Sequence, residues 1–519
     1  MFDFINNLDA NLLSRLQFAY TIIIHFIFVP LTLGLSFLMA IMETLYVKTG
    51  NKIYKDMVKF WGLLFGINFA MGVSTGIPME FQFGTNWAYY SHYVGDIFGA
   101  PLAIEGLMAF FLEATFVGLF FFGWNKLSKA KHCLVTWLVF LGSNFSALWI
   151  LIANGWMQNP VGSYFNTDTM RMELLNFTDL LFNPAAQTRF FHTLTASYTL
   201  AAIFVIGVSS FYLLKFKYTD FAKRSIKIAA IVGVFSSVLS AVGGDLQGVL
   251  LKDIQPTKLA ALELIWEQEE APASFTVFAI PKDYTGHKLG NLYEIKIPKV
   301  LGWIMTHNSV DTLLGIKELR VINEKRIQNG LLAYKALEAI KKGDKKKETK
   351  NIFNNNVKDL GYALLLKNVR SDIVNATNVE IKEAAINTIP KVYPLFLSFR
   401  LMVGLGFFFI LFFTVMLILS SLDKLTKSRF MLVISILIIP TPWIAIQAGW
   451  FVAEYGRQPW TINGILPTSI SHSILNPSLV LSSLIGFVVL YSILLVVDVY
   501  LMIKYIKIGP SNKNNNDLY

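Results

Sequence analysis

Ala453-Glu454-Tyr455-Gly456-Arg457-Gln458-Pro459-Trp460 closes an apolar run that begins near Phe430. Glu454 and Arg457 are three residues apart, a spacing that puts a carboxylate and a guanidinium on one face of a helix. Gly456 and Pro459 then break that helix. The pair sits where a membrane helix meets water, and at that depth an ionised side chain is costly unless it is paired or bound to metal.

The rest of the chain supports a membrane setting. Of 519 residues, 54% are hydrophobic and only 15% charged, and the mean hydropathy is +0.51. A soluble domain of this size needs far more polar cover. Apolar runs of spanning length fall at 16–47, 60–79, 98–124, 133–153, 188–214, 225–244, 393–421, 430–453 and 471–505. They predict an all-α polytopic membrane protein with about nine helices of ~20 or more residues each. Three parts follow: helices one to six in 1–244, a long segment 245–391, and helices seven to nine with a tail in 392–519. No internal repeat is visible, which weighs against inverted-repeat transporter folds.

Basic residues orient the chain. Lys48, Lys52, Lys55 and Lys59 follow the first run, and Lys126, Lys129 and Lys131 the third. Lys215, Lys217, Lys223 and Arg224 follow the fifth, and Lys424, Lys427 and Arg429 the seventh. Lys504, Lys507 and Lys513 end the chain, whereas 80–99 has no Lys or Arg. Short basic loops stay in the cytoplasm, so the N-terminus is outside and the C-terminus inside. The segment 245–391 is then outside. Within it Val310–Lys342 reads as helical, and the Lys/Asn-rich Lys341–Asn356 as a solvated, partly disordered insertion.

Composition also excludes classes. The net charge of +11 is spread over helix ends and one loop, not gathered on one face as nucleic-acid binding requires. The single cysteine, Cys133, rules out disulfides and covalent haem attachment through CxxCH. The first run is too long for the core of a cleavable signal.

Polar groups recur at depth towards the outer side. His25 lies two to three turns into the first helix, and Glu105 near the outer start of the third. Glu113 is eight residues further, about 12 Å along the axis and on nearly the same face. His192 follows Arg189 at the outer end of the fifth helix. Arg400 and Met402 lie about two turns into the seventh. Trp450 is one turn before Glu454 and suits the wall of a cofactor pocket. Glu43, at an inner helix end, reads as a solvated interface residue. His92, His132, His287, His307 and His472 lie in or near loops and do not read as ligands. Trp61, Trp87, Trp124, Trp149, Trp156 and Trp460 read as interfacial belt residues.

A His and a Met on separate helices suffice as axial ligands of a low-spin haem, while a single His or Glu leaves an iron open to dioxygen. Membrane-buried carboxylates such as Glu105 and Glu113 suit proton movement. A proton-coupled transporter without cofactor would also use those carboxylates, but has no need of the His/Met pair.

Four stretches carry a resemblance: Ser14-Arg15-Leu16-Gln17-Phe18-Ala19, His25-Phe26-Ile27-Phe28-Val29-Pro30-Leu31-Thr32-Leu33-Gly34, Gly99-Ala100-Pro101-Leu102-Ala103-Ile104-Glu105-Gly106 and Gly456-Arg457-Gln458-Pro459-Trp460. Along nearly its whole length the sequence resembles subunit I of the bacterial cytochrome bd quinol oxidases. The resemblance implies a terminal oxidase of the bacterial cytoplasmic membrane that oxidises quinol outside and reduces dioxygen to water. Charge separation would then arise without pumping.

The resemblance also implies cofactors, site residues and partners. His192 and Met402 would ligate a low-spin haem b, with Arg400 beside it. His25 and Glu454 would serve a high-spin haem b and haem d, or a further haem b in place of d. Glu105 would face the oxygen-reducing haem as a candidate iron ligand, and Glu113, with Ser146 nearby, would lie on the proton route. Lys258 and Glu263 match residues tied to quinol oxidation, Arg457 joins the catalytic set, and Trp450 the cofactor-binding set. A second large membrane subunit and a small single-helix subunit are the implied partners, with no nucleic acid.

Overall fold

A computed structural model describes residues 9–269, 271–302 and 312–510. Two residues assigned above, His307 and Lys513, lie outside them.

Among the described residues nine helices are long and apolar enough to cross a membrane. They are α1 (Ala10–Thr49), α2 (Lys52–Thr85), α3 (Ala88–Phe122), α4 (Lys129–Gln158), α5 (Pro184–Leu214, after a short turn Phe177–Leu181) and α6 (Thr219–Ile254). After a short buried helix α7 (Pro256–Glu263), the insertion holds α8 (Ile316–Lys341), α9 (Lys347–Asn356) and α10 (Asn378–Ile386). The last spans are α11 (Val392–Ser421), the pair α12 (Arg429–Leu437) and α13 (Thr441–Tyr455), and α14 (Pro477–Ile508). The expected all-α class holds, with three small antiparallel hairpins added: β1 (Ser163–Asn166) with β2 (Arg171–Leu174), β3 (Phe275–Pro281) with β4 (Asn291–Ile297), and β5 (Trp460–Ile462) with β6 (Leu466–Pro467).

Local chemistry sets the ends. Asp9 and Asn51 cap α1 and α2 by accepting from backbone N–H groups two residues on. Gly50 closes α1 at a φ of 68°, in the left-handed region that glycine enters without penalty. Asn183 and Asn476 cap α5 and α14, each with proline at the first helical position. Helix α1 is central, packing on α2, α4, α5 and α14. Contacts between distant residues define two ends of the bundle. At the basic end Lys223 pairs with Asp423 at 2.7 Å and the Tyr212 hydroxyl donates to the Ile506 carbonyl. At the insertion end Arg15 donates to Gln458 and Ser473 donates to the Thr85 carbonyl.

Several expectations are corrected. The third span starts at Ala88, not 98, so the polar stretch 80–99 is helix apart from Asn86 and Trp87. The reason is tertiary: Trp87, Tyr90, Tyr93, Val94, Ile97 and Phe98 are buried against α4, β2 and the β5–β6 hairpin. Glu105 is therefore about 25 Å along α3, near its middle and not its outer start, and Glu113 lies nearer the basic end. His25 is likewise about 22 Å along α1 from Ala10. The eighth span is interrupted between Leu437 and Thr441. The Lys/Asn-rich tract is the helix α9, docked by Phe353 against Ala333, Ala336 and Leu337 of α8. Trp61 and Trp156 are fully buried, not interfacial.

Glu43 is not solvated either. It is 0% exposed, with one carboxylate oxygen 2.6 Å from Nδ1 of His132 and the other accepting from Thr136. His132 belongs to the first turn of α4 and His92 to the second turn of α3.

Helix packing gives a direct test. Gly34 of α1 abuts the Ser197 carbonyl and the Ala201 side chain of α5, leaving no room for a Cβ. Gly34→Val should lower the thermal midpoint of the purified protein, in line with the roughly 1–3 kcal/mol of overpacking. An unchanged midpoint would contradict this packing.

Candidate functional site

Glu454, on the last turn of α13, is the half-buried hub of a polar network at the insertion end. One carboxylate oxygen accepts from Asn154 and Gln158 of α4, each at 3.1 Å, and lies 3.5 Å from Nη1 of Arg189 on α5. The other is 2.6 Å from Nη2 of Arg457, the pair expected from their spacing. Lys258 of α7 donates to Oε1 of Gln158 and to the Ala453 carbonyl, each at 2.9 Å. Its stem passes over Gly456, where a Cβ would sit 3.0 Å from two of its carbons. Three basic side chains, all at most 9% exposed, thus surround one carboxylate. Nε of Arg189 and both Nε and Nη1 of Arg457 are buried without a partner.

The two histidines share one arrangement. Nδ1 of His192 donates to the Ser240 carbonyl at 2.8 Å, because a carbonyl only accepts. Thr75 spends its hydroxyl proton on the Met71 and Gly72 carbonyls, so it accepts from Nδ1 of His25 at 3.0 Å. Both rings therefore keep an Nε2 lone pair, and neither Nε2 has a hydrogen-bonding partner among the described residues. Fixing Nδ1–H in this way is how proteins orient a metal-ligating imidazole. A glycine faces each ring and the Met402 sulfur as well: Gly76 against His25, Gly244 against His192 and Gly449 against Met402. Trp450 packs edge-on against Phe26, with centroids 5.0 Å apart, beside His25.

Arg400 does not snorkel to the surface. Its guanidinium is 2.6 Å from Glu263 on α7 and also donates to the Thr276 carbonyl of β3. Glu263 is 1% exposed. A cavity of about 340 Å³ opens beside α7, lined by Lys252, Asp253, Pro256, Leu259, Leu313 and Leu314, among others.

Glu105 and Glu113 both reach α4. Glu105 starts a π-helical stretch, Glu105–Phe110, and accepts from Ser146 at 3.1 Å, leaving Oε2 buried without a partner. Glu113 accepts from Ser143, so the expected Ser146 neighbour belongs to the other carboxylate.

The structure thus joins Glu454, Arg457 and Lys258 in one network and Glu263 and Arg400 in a second, with His25, His192 and Met402 on separate helices. Reading the sequence missed Asn154, Gln158, Thr75 and Ser143 and gave Arg189 no role. Asn154 and Gln158 are neutral amides near a helix end, and only their spacing on one face of α4 marks them.

This donor set fits haem. It offers two oriented imidazoles, a thioether, carboxylates and buried guanidinium N–H groups without partners, and a glycine lies against each of the three neutral donors, where a Cβ would crowd His25 and Met402.

Comparison with known proteins agrees. The family model described as cytochrome bd terminal oxidase subunit I matches residues 13–510. The chain is 48% identical over 499 residues to the cytochrome bd-II ubiquinol oxidase subunit 1 of Escherichia coli, covering 96% of each. It is 40% identical to the cytochrome bd ubiquinol oxidase subunit 1 of Bacillus subtilis, covering 98% of this chain and 95% of that one. Its fold matches the bd oxidase structure from Geobacillus thermodenitrificans with a TM-score of 0.77 at 24% identity, over 97% of this chain and all of the other.

Outside the spans, burial sets two protonation preferences. Desolvation, reinforced by Arg189, pushes the Lys258 ammonium well below its ordinary value against the pull of Glu454. Desolvation raises the Glu263 carboxyl, with Arg400 pulling it back. For Lys258 the unfolded state binds more protons between the lowered folded value and about 10.4, so stability rises with pH through that window. Lys258→Met should flatten the alkaline rise of the thermal midpoint, and an unaltered slope would reject the linkage.

Proposed function

The chain belongs to the cytochrome bd terminal oxidase subunit I family, and on that premise we propose that it carries three non-covalent haems and separates charge without pumping protons. It is the subunit I of a quinol oxidase, a multi-pass protein of the bacterial cytoplasmic membrane that works with a subunit II, quinol and dioxygen. A small single-helix subunit completes the proposed assembly.

In this reading His192 and Met402 would hold a low-spin haem b, with Arg400 beside them. His25 and Glu454 serve a high-spin haem b and the oxygen-reducing haem, which is d or a further b. Trp450 walls that pocket, Glu105 is a candidate iron ligand, and Arg457 acts by holding Glu454. Bound haem would supply electron transfer and the reduction of dioxygen to water. The supporting observation is the shared orientation of His25 and His192, each with Nδ1–H anchored and Nε2 unengaged.

Residues 245–391 form the quinol-binding segment on the outer face, with α7 at its base. A neutral Lys258 amine has two N–H groups, matching its two acceptors, Gln158 Oε1 and the Ala453 carbonyl. Its lone pair is then free to take a proton from a quinol hydroxyl. Glu263 is the second residue for quinol oxidation, and its partner Arg400 lies two residues before Met402 on α11. Protons for water come from inside, through Glu113 and then Glu105. Release outside and uptake inside separate charge, because the two half-reactions draw on opposite faces.

Two tests address this reading. His192→Ala or Met402→Ala should remove the low-spin signal from the reduced-minus-oxidised spectrum, and an unchanged spectrum would reject that assignment. Glu113→Gln should slow turnover by about a hundredfold, the lower range for losing a positioned proton-transfer group, with haem content retained. Normal turnover would count against the route.

A further inference from the structure

We propose that Glu43 and His132 form the proton-uptake site at the basic end of the bundle and pass protons along α4 to Glu113. This rests on the reading of Glu113 as a proton carrier.

Glu43, His132 and Thr136 are at most 1% exposed, and nothing in the quinol or haem chemistry uses them. Nε2 of His132 donates to the Phe120 carbonyl at 3.0 Å, so that nitrogen is protonated. Nδ1 then faces Glu43 Oε1 at 2.6 Å with one proton between them. That proton can sit on nitrogen or oxygen without any heavy atom moving, and the pair is neutral either way. A second proton loads the pair, and handing one on restores it. No other bond changes.

Position supports this role. His132 is in the first turn of α4 and Glu43 in the penultimate turn of α1, both at the end where the basic loops gather. Phe120, whose carbonyl holds the imidazole, is two turns beyond Glu113 on the same buried face of α3. Trp124 stacks on the His132 ring with centroids 3.8 Å apart and covers the pair. Its Nε1 is buried without a partner, the kind of donor a bound water satisfies. The charged groups nearby are Lys55 and Lys59, with Nζ 5.3 and 5.7 Å from the Trp124 ring, and Asp56 between them in sequence.

One face of α4 then carries the route. His132, Thr136 and Ser143 share it, since 11 residues return a helix to nearly the same angle. Thr136 donates to Glu43 and Ser143 to Glu113. The step from Thr136 to Ser143, about 10 Å along the axis, needs bound water. A purely structural tie between α1, α3 and α4 would hold the helices equally well with a neutral amide in place of Glu43.

The test uses the complete oxidase complex. Glu43→Gln keeps size and the Thr136 contact but cannot shuttle a proton. We expect at least about a tenfold loss of turnover, steepest at alkaline pH where protons are scarce, with an unchanged haem spectrum and quinol KM. A larger solvent deuterium isotope effect and partial rescue by Glu43→Asp should accompany it. Full turnover in Glu43→Gln with slow Glu113→Gln would overturn the uptake site and leave the Glu113 reading standing. Full turnover in both would remove the Glu113 reading itself. If Glu43→Gln loses haem, Thr136→Val decides: slowed turnover with an intact spectrum supports the route, and normal turnover overturns it.

Discussion

The insertion end of the bundle depends on one half-buried carboxylate among three buried basic side chains. Glu454 ties α13 to α4 and α5 through Asn154, Gln158 and Arg189, and to the following hairpin through Arg457. Breaking a buried ion pair by removing one partner typically costs about 3–5 kcal/mol, because the survivor keeps its desolvation penalty. Here one carboxylate serves two guanidiniums, so its loss would strand both. Arginine cannot give up its proton, whereas lysine can. Lys258 is therefore the group of the three able to shed the excess positive charge, and its burial favours the neutral amine.

That relief links electrostatics to chemistry. In the proposed reading that amine is the base for quinol, and a cavity of about 340 Å³ opens on the same short helix, lined by its Pro256 and Leu259. The same α7 turn supplies Glu263, and its partner Arg400 is two residues before Met402 on α11. In the proposed reading, proton acceptance and electron acceptance would thus fall to one short helix and its neighbour.

Much of this was legible in the sequence, and the reasons differ by feature. The nine spans were visible because hydrocarbon demands about 20 apolar residues, whatever their partners. Their ends were not, because α3 continues on tertiary contacts of Tyr90, Tyr93 and Phe98 that apolar length does not encode. His25, His192, Met402 and Glu454 stood out as ligand-type groups in an apolar setting. Glu43 was misread because depth along a helix does not tell which face it occupies, and its partner is 89 residues away. The Lys/Asn tract was misread because composition registers its charge but not Phe353, the single side chain that docks it.

The expected relation of Glu105 to Glu113 also needs the structure. Eight residues of regular helix separate their backbones by about 12 Å. Their serine partners, Ser146 and Ser143, are three residues apart on α4, about 4.5 Å along its axis. The two carboxyl groups therefore lean towards each other as they cross to α4, and the wide π-helical turn that Glu105 begins lies between them. Such turns recur at functional sites, where they re-aim a side chain without ending the helix. A proton passed between these carboxylates then travels less than the spacing of their backbones implies, while the helix that carries them remains unbroken across the membrane.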